Sequence, residues 1–316
     1  MLIMFLTRRA WSCRPQLRRG NSSWINLNGL WEFEPGQAQQ PPPFGRTLNG
    51  TILVPFPVES CLSGVGQTYQ YMWYRLLFDT PHGFSLPRTL LHFGAVDWQT
   101  QVWVNQVPVG NHTGGFDRFQ FEASGALHPT GNELLVFVYD PSDEGFQPNG
   151  KQRISAITNP GGDTYSPSSG IWQTVWLENV PQSYIAGLDL LADTRRLTLT
   201  VNVDGTALGV PFAFSVLDGG APVLSGSGVT GQPLTAHVPS PKLWDPEHPF
   251  LYNLVVSVQD AGADSVESYF GMRSITLVSF RTAPLIFAVG HPLPLLSLSL
   301  LSSTSFSPDL LHCELG

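Results

Sequence analysis

"GAVDWQTQVWVNQVPVGNHTGGFDRFQFE", residues 94–122, is the stretch whose reading decides the fold. Polar, aromatic and glycine residues interleave around a short strand pair, and Asn105 and Gln106 read as the turn. No 3.6-residue apolar period runs through it, so strands fit and a helix does not. The same texture extends outward in both directions. Strands are expected at 71–79, 89–93, 101–104, 119–121, 133–140 and 173–178, a spacing that suggests a β-sandwich. In the last of these, Val175 and Leu177 share one face and Thr174 and Trp176 the other, because side chains alternate along a strand.

A second set of short strands begins after Pro181 with "YIAGLDLLAD", "RLTLTVNVDG" and "PFAFSVLDGG", and continues through "LYNLVVSVQD" and "SVESYFGMRSI". This block has the roughly 100-residue size of an immunoglobulin-like sandwich, and the boundary falls at 180–183. "GSGVTG", 226–231, has the spacing of a dinucleotide-binding turn, but no helix pattern follows it, so a glycine-rich hairpin is expected. From Arg281 to Asp309 the chain carries no Asp, Glu, Lys or Arg between those two residues. Pro284, Pro292, Pro294 and the serines from 297 to 307 argue against a membrane-spanning helix there, and an irregular tail is expected.

Composition excludes several function classes. The 316 residues suffice for two domains, with 42% apolar and only 13% charged residues. A net charge of -8 leaves no general basic surface for nucleic acid, and a neutral partner such as carbohydrate fits better. Cys13, Cys61 and Cys313 make neither a disulfide framework nor a metal-ligand pair, and no cofactor or metal is expected. The opening "MLIMFLTRRAW" does not match a signal peptide, while sequons begin at Asn21, Asn49 and Asn111, so the compartment stays open. No Walker A, His-Glu-x-x-His or Gly-x-Ser-x-Gly pattern is present.

Candidate binding residues lie where a sandwich gathers its loops. Asp97, Trp98, His112 and Phe116 fall near strand ends, where an aromatic face and a carboxylate would meet a sugar. The alternative is structural: Trp98 and Trp103 in the core, Asp97 capping a turn. The polar segments 140–152 and 159–172 form a long loop that adds Asp163, Tyr165 and Trp172, either as ligands or as packing against a neighbouring domain. Glycoside hydrolysis needs two carboxyl groups flanking one bond, which sequence spacing alone does not establish. Asn132-Glu133 reads as a solvated strand end.

Taken together, "WINLNGLWEFEP" (24–35), "VPFPVES" (54–60), "YMWYRLLFDTP" (71–81), "LHFGAVDWQTQVWVNQVPVGNHTGGF" (91–116) and "SGIWQTVWLE" (169–178) resemble glycoside hydrolase family 2. That family includes β-galactosidases, β-glucuronidases and β-mannosidases. "KLWDPEHPFLYNLVVSV" (242–258) and "YFGMRSI" (269–275) resemble the close of its immunoglobulin-like domain. The resemblance implies an all-β fold: an N-terminal extension (1–13), a galactose-binding-like jelly-roll (14–181), an immunoglobulin-like β-sandwich (182–276) and a tail (277–316). Members carry their catalytic glutamates in a C-terminal barrel of roughly 250 residues. Only 41 residues follow Ile275, so the resemblance implies a non-catalytic portion, inactive in hydrolysis alone. It also implies that the 159–170 loop lines an active-site rim near Asp163. Trp172 and Trp176 would anchor its exit, one in the core and one as an inter-domain contact. A surface that a barrel would cover is a candidate protein-partner site.

Overall fold

The computed structural model describes residues 17–20, 23–205, 209–258, 263–280 and 283–289, with the backbone alone from 276 onward. The N-terminal extension to residue 13, the sequon at Asn21 and the tail from 290 lie outside the described residues. The fold is all-β. Strands β1 (Trp24–Asn26), β2 (Gly29–Pro35), β3 (Gly50–Val54), β4 (Tyr71–Phe78), β5 (Arg88–Phe93) and β6 (Val96–Asp97) come first. They are followed by β7 (Gln99–Val104), β8 (Val107–Thr113), β9 (Phe119–Glu122), β10 (Asn132–Tyr139), β11 (Gly170–Ile171) and β12 (Val175–Val180). A six-stranded sheet, β3-β2-β4-β10-β7-β8, packs on a four-stranded sheet, β1-β12-β5-β9, and β11 pairs with β6 as a short ladder of its own.

Alternation explains this packing. Val102 and Val104 on β7, and Leu134, Val136 and Val138 on β10, point inward to meet Leu91, Phe93, Val175 and Leu177 of the other sheet. The outer face of the large sheet is also covered. Trp73 and Leu135 are buried there with Phe44, Trp103 and Phe137 packed against them, so Trp103 belongs to this outer cluster and not to the interior. Asn105 and Gln106 both have positive φ (49° and 69°), making the tight turn between β7 and β8 that their positions suggest.

The Asn132-Glu133 expectation is corrected here, because both residues are buried. Asn132 is fully enclosed, and its amide bonds Asn105, Thr80 and the His128 carbonyl. Glu133 accepts from Arg75 Nε at 2.5 Å and from the Gly45 amide at 3.1 Å. Arg75 in turn reaches Glu32 at 2.8 Å, so the 44–48 segment folds over a buried ion group on the outer sheet face. A short acidic dipeptide in sequence does not reveal that an arginine 58 residues away lies opposite it.

The second sandwich is built from β13 (Tyr184–Ala192), β14 (Arg196–Asp204), β15 (Pro211–Asp218), β16 (Ala221–Val229), β17 (Leu234–His237), β18 (Tyr252–Val258) and β19 (Asp264–Phe270). Its sheets are β13-β14-β17 and β16-β15-β18-β19, closed over a separate core that includes Leu199, Val201, Phe214, Leu254 and Val256. The 226–231 glycines are structural, as expected for a hairpin. Gly226 pairs with Phe214 and Gly228 with Phe212, and a Cβ at either would meet the phenyl ring at 2.8 or 2.7 Å. The tail expectation needs correction up to residue 289. There β20 (Ile275–Phe280) pairs with β21 (Ala283–Val289), since two apolar runs flanking a short polar link satisfy each other's backbone groups. Among the described residues no helix is long and apolar enough to cross a membrane.

Candidate functional site

The short β6–β11 ladder marks one end of the first sandwich, and several expected residues meet there. Asp97 pairs with Gly170 in that ladder and is 3% exposed. Its Oδ2 accepts from Gln152 Nε2 at 3.0 Å, and Gln152 Oε1 accepts from the Ser168 amide at 2.7 Å. Gln152 thereby ties the 140–172 loop to the strand end. Gly115 backs directly onto the Asp97 carboxyl, where an added Cβ would meet Oδ1 at 2.4 Å. The Gly115 carbonyl accepts from Trp172 Nε1 at 2.8 Å, and the Trp172 ring meets Phe116 edge-on at 6.5 Å between centroids. Trp98, half-buried, follows Asp97 through a cis peptide, and its carbonyl accepts from Gly114.

Asp97, Phe116 and Trp172 are therefore brought together, with the Trp98 backbone beside them and Phe116 exposed to solvent. His112 joins a different group: its ring stacks on Phe119 at 4.0 Å and lies 3.5 Å from Asp117. Asp163 and Tyr165 stand on the exposed outer part of the loop, Asp163 at 3.8 Å from Lys151. The Asp97 side chain is held by Gln152, not by either of them. Trp172 is half-buried at the rim and not in the core. Trp176 stacks parallel to His92 at 4.6 Å and lines a cleft of about 320 Å³ with Arg19, Glu178 and Tyr184, between the two sandwiches.

Sequence reasoning missed Asp140, which is buried, and Glu59, which is half-buried, both near Asp97. Burial pushes all three carboxyls up, and the charge of Asp140 acts on both Glu59 and Asp97. Asp97 is pushed up to about 6, by burial first and then by Asp140, against the Gln152 hydrogen bond. The native state holds this proton more tightly than the unfolded chain, so the contribution to stability is full below about pH 4 and is lost as pH rises through about 6. In chelator-containing buffer, urea stability is expected to increase by about 1–1.5 kcal/mol on going from pH 7 to 5, and Asp97→Asn is expected to flatten that rise. A profile in the parent that is level or falling toward pH 5 contradicts this account.

These three carboxyls do not make a three-ligand cage. Among the described residues only Asp245, Glu247 and His248 bring three such ligand atoms within 4.8 Å, and there Asp245 Oδ1 already accepts from the Glu247 and His248 amides.

The model of glycosyl hydrolases family 2 matches residues 192–273. The chain is glycosyl hydrolase family 2-like. This family 2-like chain is 27% identical over 269 residues to the β-galactosidase large subunit of Leuconostoc lactis, covering 82% of this chain and 39% of that one. It is 26% identical to the β-glucuronidase of Felis catus, over 86% of this chain and 49% of the relative. It therefore spans less than half the length of either relative. In fold it is similar to the β-glucuronidase from Ruminococcus gnavus in complex with D-glucuronic acid, at a TM-score of 0.64 and 20% identity, over 82% of this chain and 47% of that one.

Proposed function

We propose that residues 14–276 are the non-catalytic, paired β-sandwich portion of a family 2 β-glycosidase. A jelly-roll over 14–181 presents a carbohydrate-facing loop end, and an immunoglobulin-like domain over 182–276 supports it. The observation that carries this reading is the meeting of Phe116 and Trp172 beside Asp97 at one end of the first sandwich, with Trp98 next to Asp97 in the chain. Sugars offer apolar C–H faces and hydroxyl groups, and an aromatic wall beside a polar group is suited to both. The β-galactosidase and β-glucuronidase relatives, and the neighbour bound to D-glucuronic acid, support the same ligand class.

Hydrolysis itself belongs outside these two sandwiches. A glycosidase needs two carboxyls across an accessible bond, about 5–5.5 Å apart for retention or about 6.5–9.5 Å for inversion. Glu59, Asp97 and Asp140 are buried or nearly so, and they hold the Ser169 amide, Gln152 and the Ser142 amide, so their geometry braces a loop. The 316-residue chain is expected to bind a β-glucuronide or β-galactoside saturably without turning over its nitrophenyl glycoside above a buffer control. Trp98→Ala is expected to weaken binding by about 3- to 10-fold while the near-UV spectrum shows native packing. Turnover above buffer would overturn the non-catalytic assignment, and unchanged binding would overturn the role of the loop end.

A second reading rests on exposed apolar side chains of the same loop. Phe146, Ile157 and Tyr165 all face solvent, which favours a protein surface covering them. Sedimentation that depends on concentration and disappears in Phe146→Ser would support association through this loop.

A further inference from the structure

A group of polar atoms is enclosed beneath the loop end, and it is incompletely satisfied. Asp140 follows β10 on its inward face, and Thr100 on β7 pairs with Val138, two positions before Asp140. Glu59 arrives from the turn after β3, and Ser169 immediately precedes β11. One oxygen of each carboxyl is occupied. Glu59 Oε2 accepts from the Ser169 amide at 2.9 Å, and Asp140 Oδ1 accepts from the Ser142 amide at 2.7 Å. The remaining oxygens, Glu59 Oε1 and Asp140 Oδ2, are buried without a hydrogen-bond partner, and so are the hydroxyls of Ser169 and Thr100. Ser169 is 0% and Thr100 1% exposed. The Ser169 side chain lies close enough to both carboxyls to favour their ionised forms, which places it between them.

Among the described residues no lysine or arginine is paired with Glu59 or Asp140. Burying two carboxylates without a counter-charge is costly, and the one Ser169 hydroxyl near both can donate to only one of them.

We propose that Glu59 Oε1, Asp140 Oδ2 and Ser169 Oγ, with Thr100 Oγ1 beside them, bind a hard divalent cation of the calcium class. The donor set contains oxygen only, with neither imidazole nor thiolate, which selects against zinc and copper and for calcium or magnesium. Two carboxylates match the charge of a divalent ion. The donors come from four separate chain segments and include hydroxyls, an irregular arrangement that suits calcium's flexible coordination better than magnesium's strict octahedron. Bound there, the ion fixes the exit of the 140–172 loop to the 59 turn and to the end of β10. This site does not depend on the carbohydrate reading.

The test uses the 316-residue chain stripped with chelator at about pH 7.5, on the alkaline side because burial pushes the Glu59 and Asp140 carboxyls up. Calcium chloride is expected to raise the melting temperature saturably in the ~0.1–1 mM range or below, and an equal ionic strength of sodium chloride is not. Terbium is expected to give emission sensitised by the protein's aromatic residues, and calcium is expected to displace it. Asp140→Asn and Glu59→Gln should each abolish both signals. Because Glu59→Gln removes a buried charge, it should be at least as stable as the metal-free parent. Thr100→Val supplies an independent variant of nearly unchanged shape, expected to weaken calcium affinity several-fold. Absence of both signals in the folded parent overturns the proposal. Signals that persist unchanged in Asp140→Asn and Glu59→Gln overturn it equally, and direct attention to the Asp245–His248 turn.

Discussion

Arg19→Ala is expected to lower the stability of the folded chain by about 3–5 kcal/mol, the range for removing one member of a buried ion group. The guanidinium donates from Nη1 to Glu178 Oε1 at 2.6 Å, from Nη2 to Asp264 Oδ2 at 2.6 Å and to the Ile185 carbonyl at 2.6 Å, and from Nε to Asp264 Oδ1 at 2.9 Å. All three charged side chains are 4–6% exposed. Burial alone would lower the Arg19 pKa, but the Asp264 and Glu178 carboxylates raise it. Burial likewise would raise Glu178, and His92 with Arg19 brings it down instead. Alanine leaves Glu178 with His92 and Asp264 with the Ile185 amide, two largely buried carboxylates without their shared counter-charge. Arg19→Lys keeps the charge but not the planar fork, so it is expected to recover only part of the loss. Urea denaturation measures both. A loss for Arg19→Ala below about 1 kcal/mol, the range of exposed pairs, would mean that the group is solvated and the proposed clamp is wrong.

The second large effect is expected at Gly170. Its φ of 85° lies in the left-handed region, where a side chain costs roughly 1–2 kcal/mol. A Cβ there would also meet the Tyr74 hydroxyl oxygen at 2.0 Å, and Tyr74 is fully buried in the core of the first sandwich. Overpacking of this kind adds about 1–3 kcal/mol, so Gly170→Ala should destabilise by about 2–5 kcal/mol in all. Removing the hydroxyl separates the two causes. Tyr74→Phe combined with Gly170→Ala is expected to recover the steric part and leave the backbone part. Gly187→Ala is the control, since nothing lies within 4 Å of a Cβ at that position. If Gly170→Ala and Gly187→Ala behave alike, the Tyr74 contact does not hold the loop exit.

Much of this architecture was legible because β-sandwiches write their alternation into the chain. The Asn105-Gln106 turn, the inward faces of β7 and β12, and the glycines opposite Phe212 and Phe214 each follow from local pattern. Partners joined across long separations left no such trace. Arg19 is one of several arginines in "RPQLRRG", and nothing local marks it as the one that meets Asp264, 245 residues away. Glu133 looked solvated because Arg75 is invisible from its neighbours. At the loop end, Asp97, Trp98, Phe116 and Trp172 were readable from their place at strand ends. Gln152, Glu59 and Asp140 were not, because one polar residue in a polar loop resembles the next until burial separates them.

The Arg19 clamp also sets a schedule for biosynthesis. Its partners span Glu178, Ile185 and Asp264, so the residue enters the ribosome tunnel early and waits for the last of them. At translation rates of about 5–20 residues per second, that interval of 245 residues amounts to roughly 10–50 s. Throughout it the first sandwich can close while Glu178 and Arg19 lack the third member of their group. The emerging chain therefore carries an unfinished seam beside the Trp176–His92 stack until β19 arrives, and that nascent interval is when a chaperone would have most to cover.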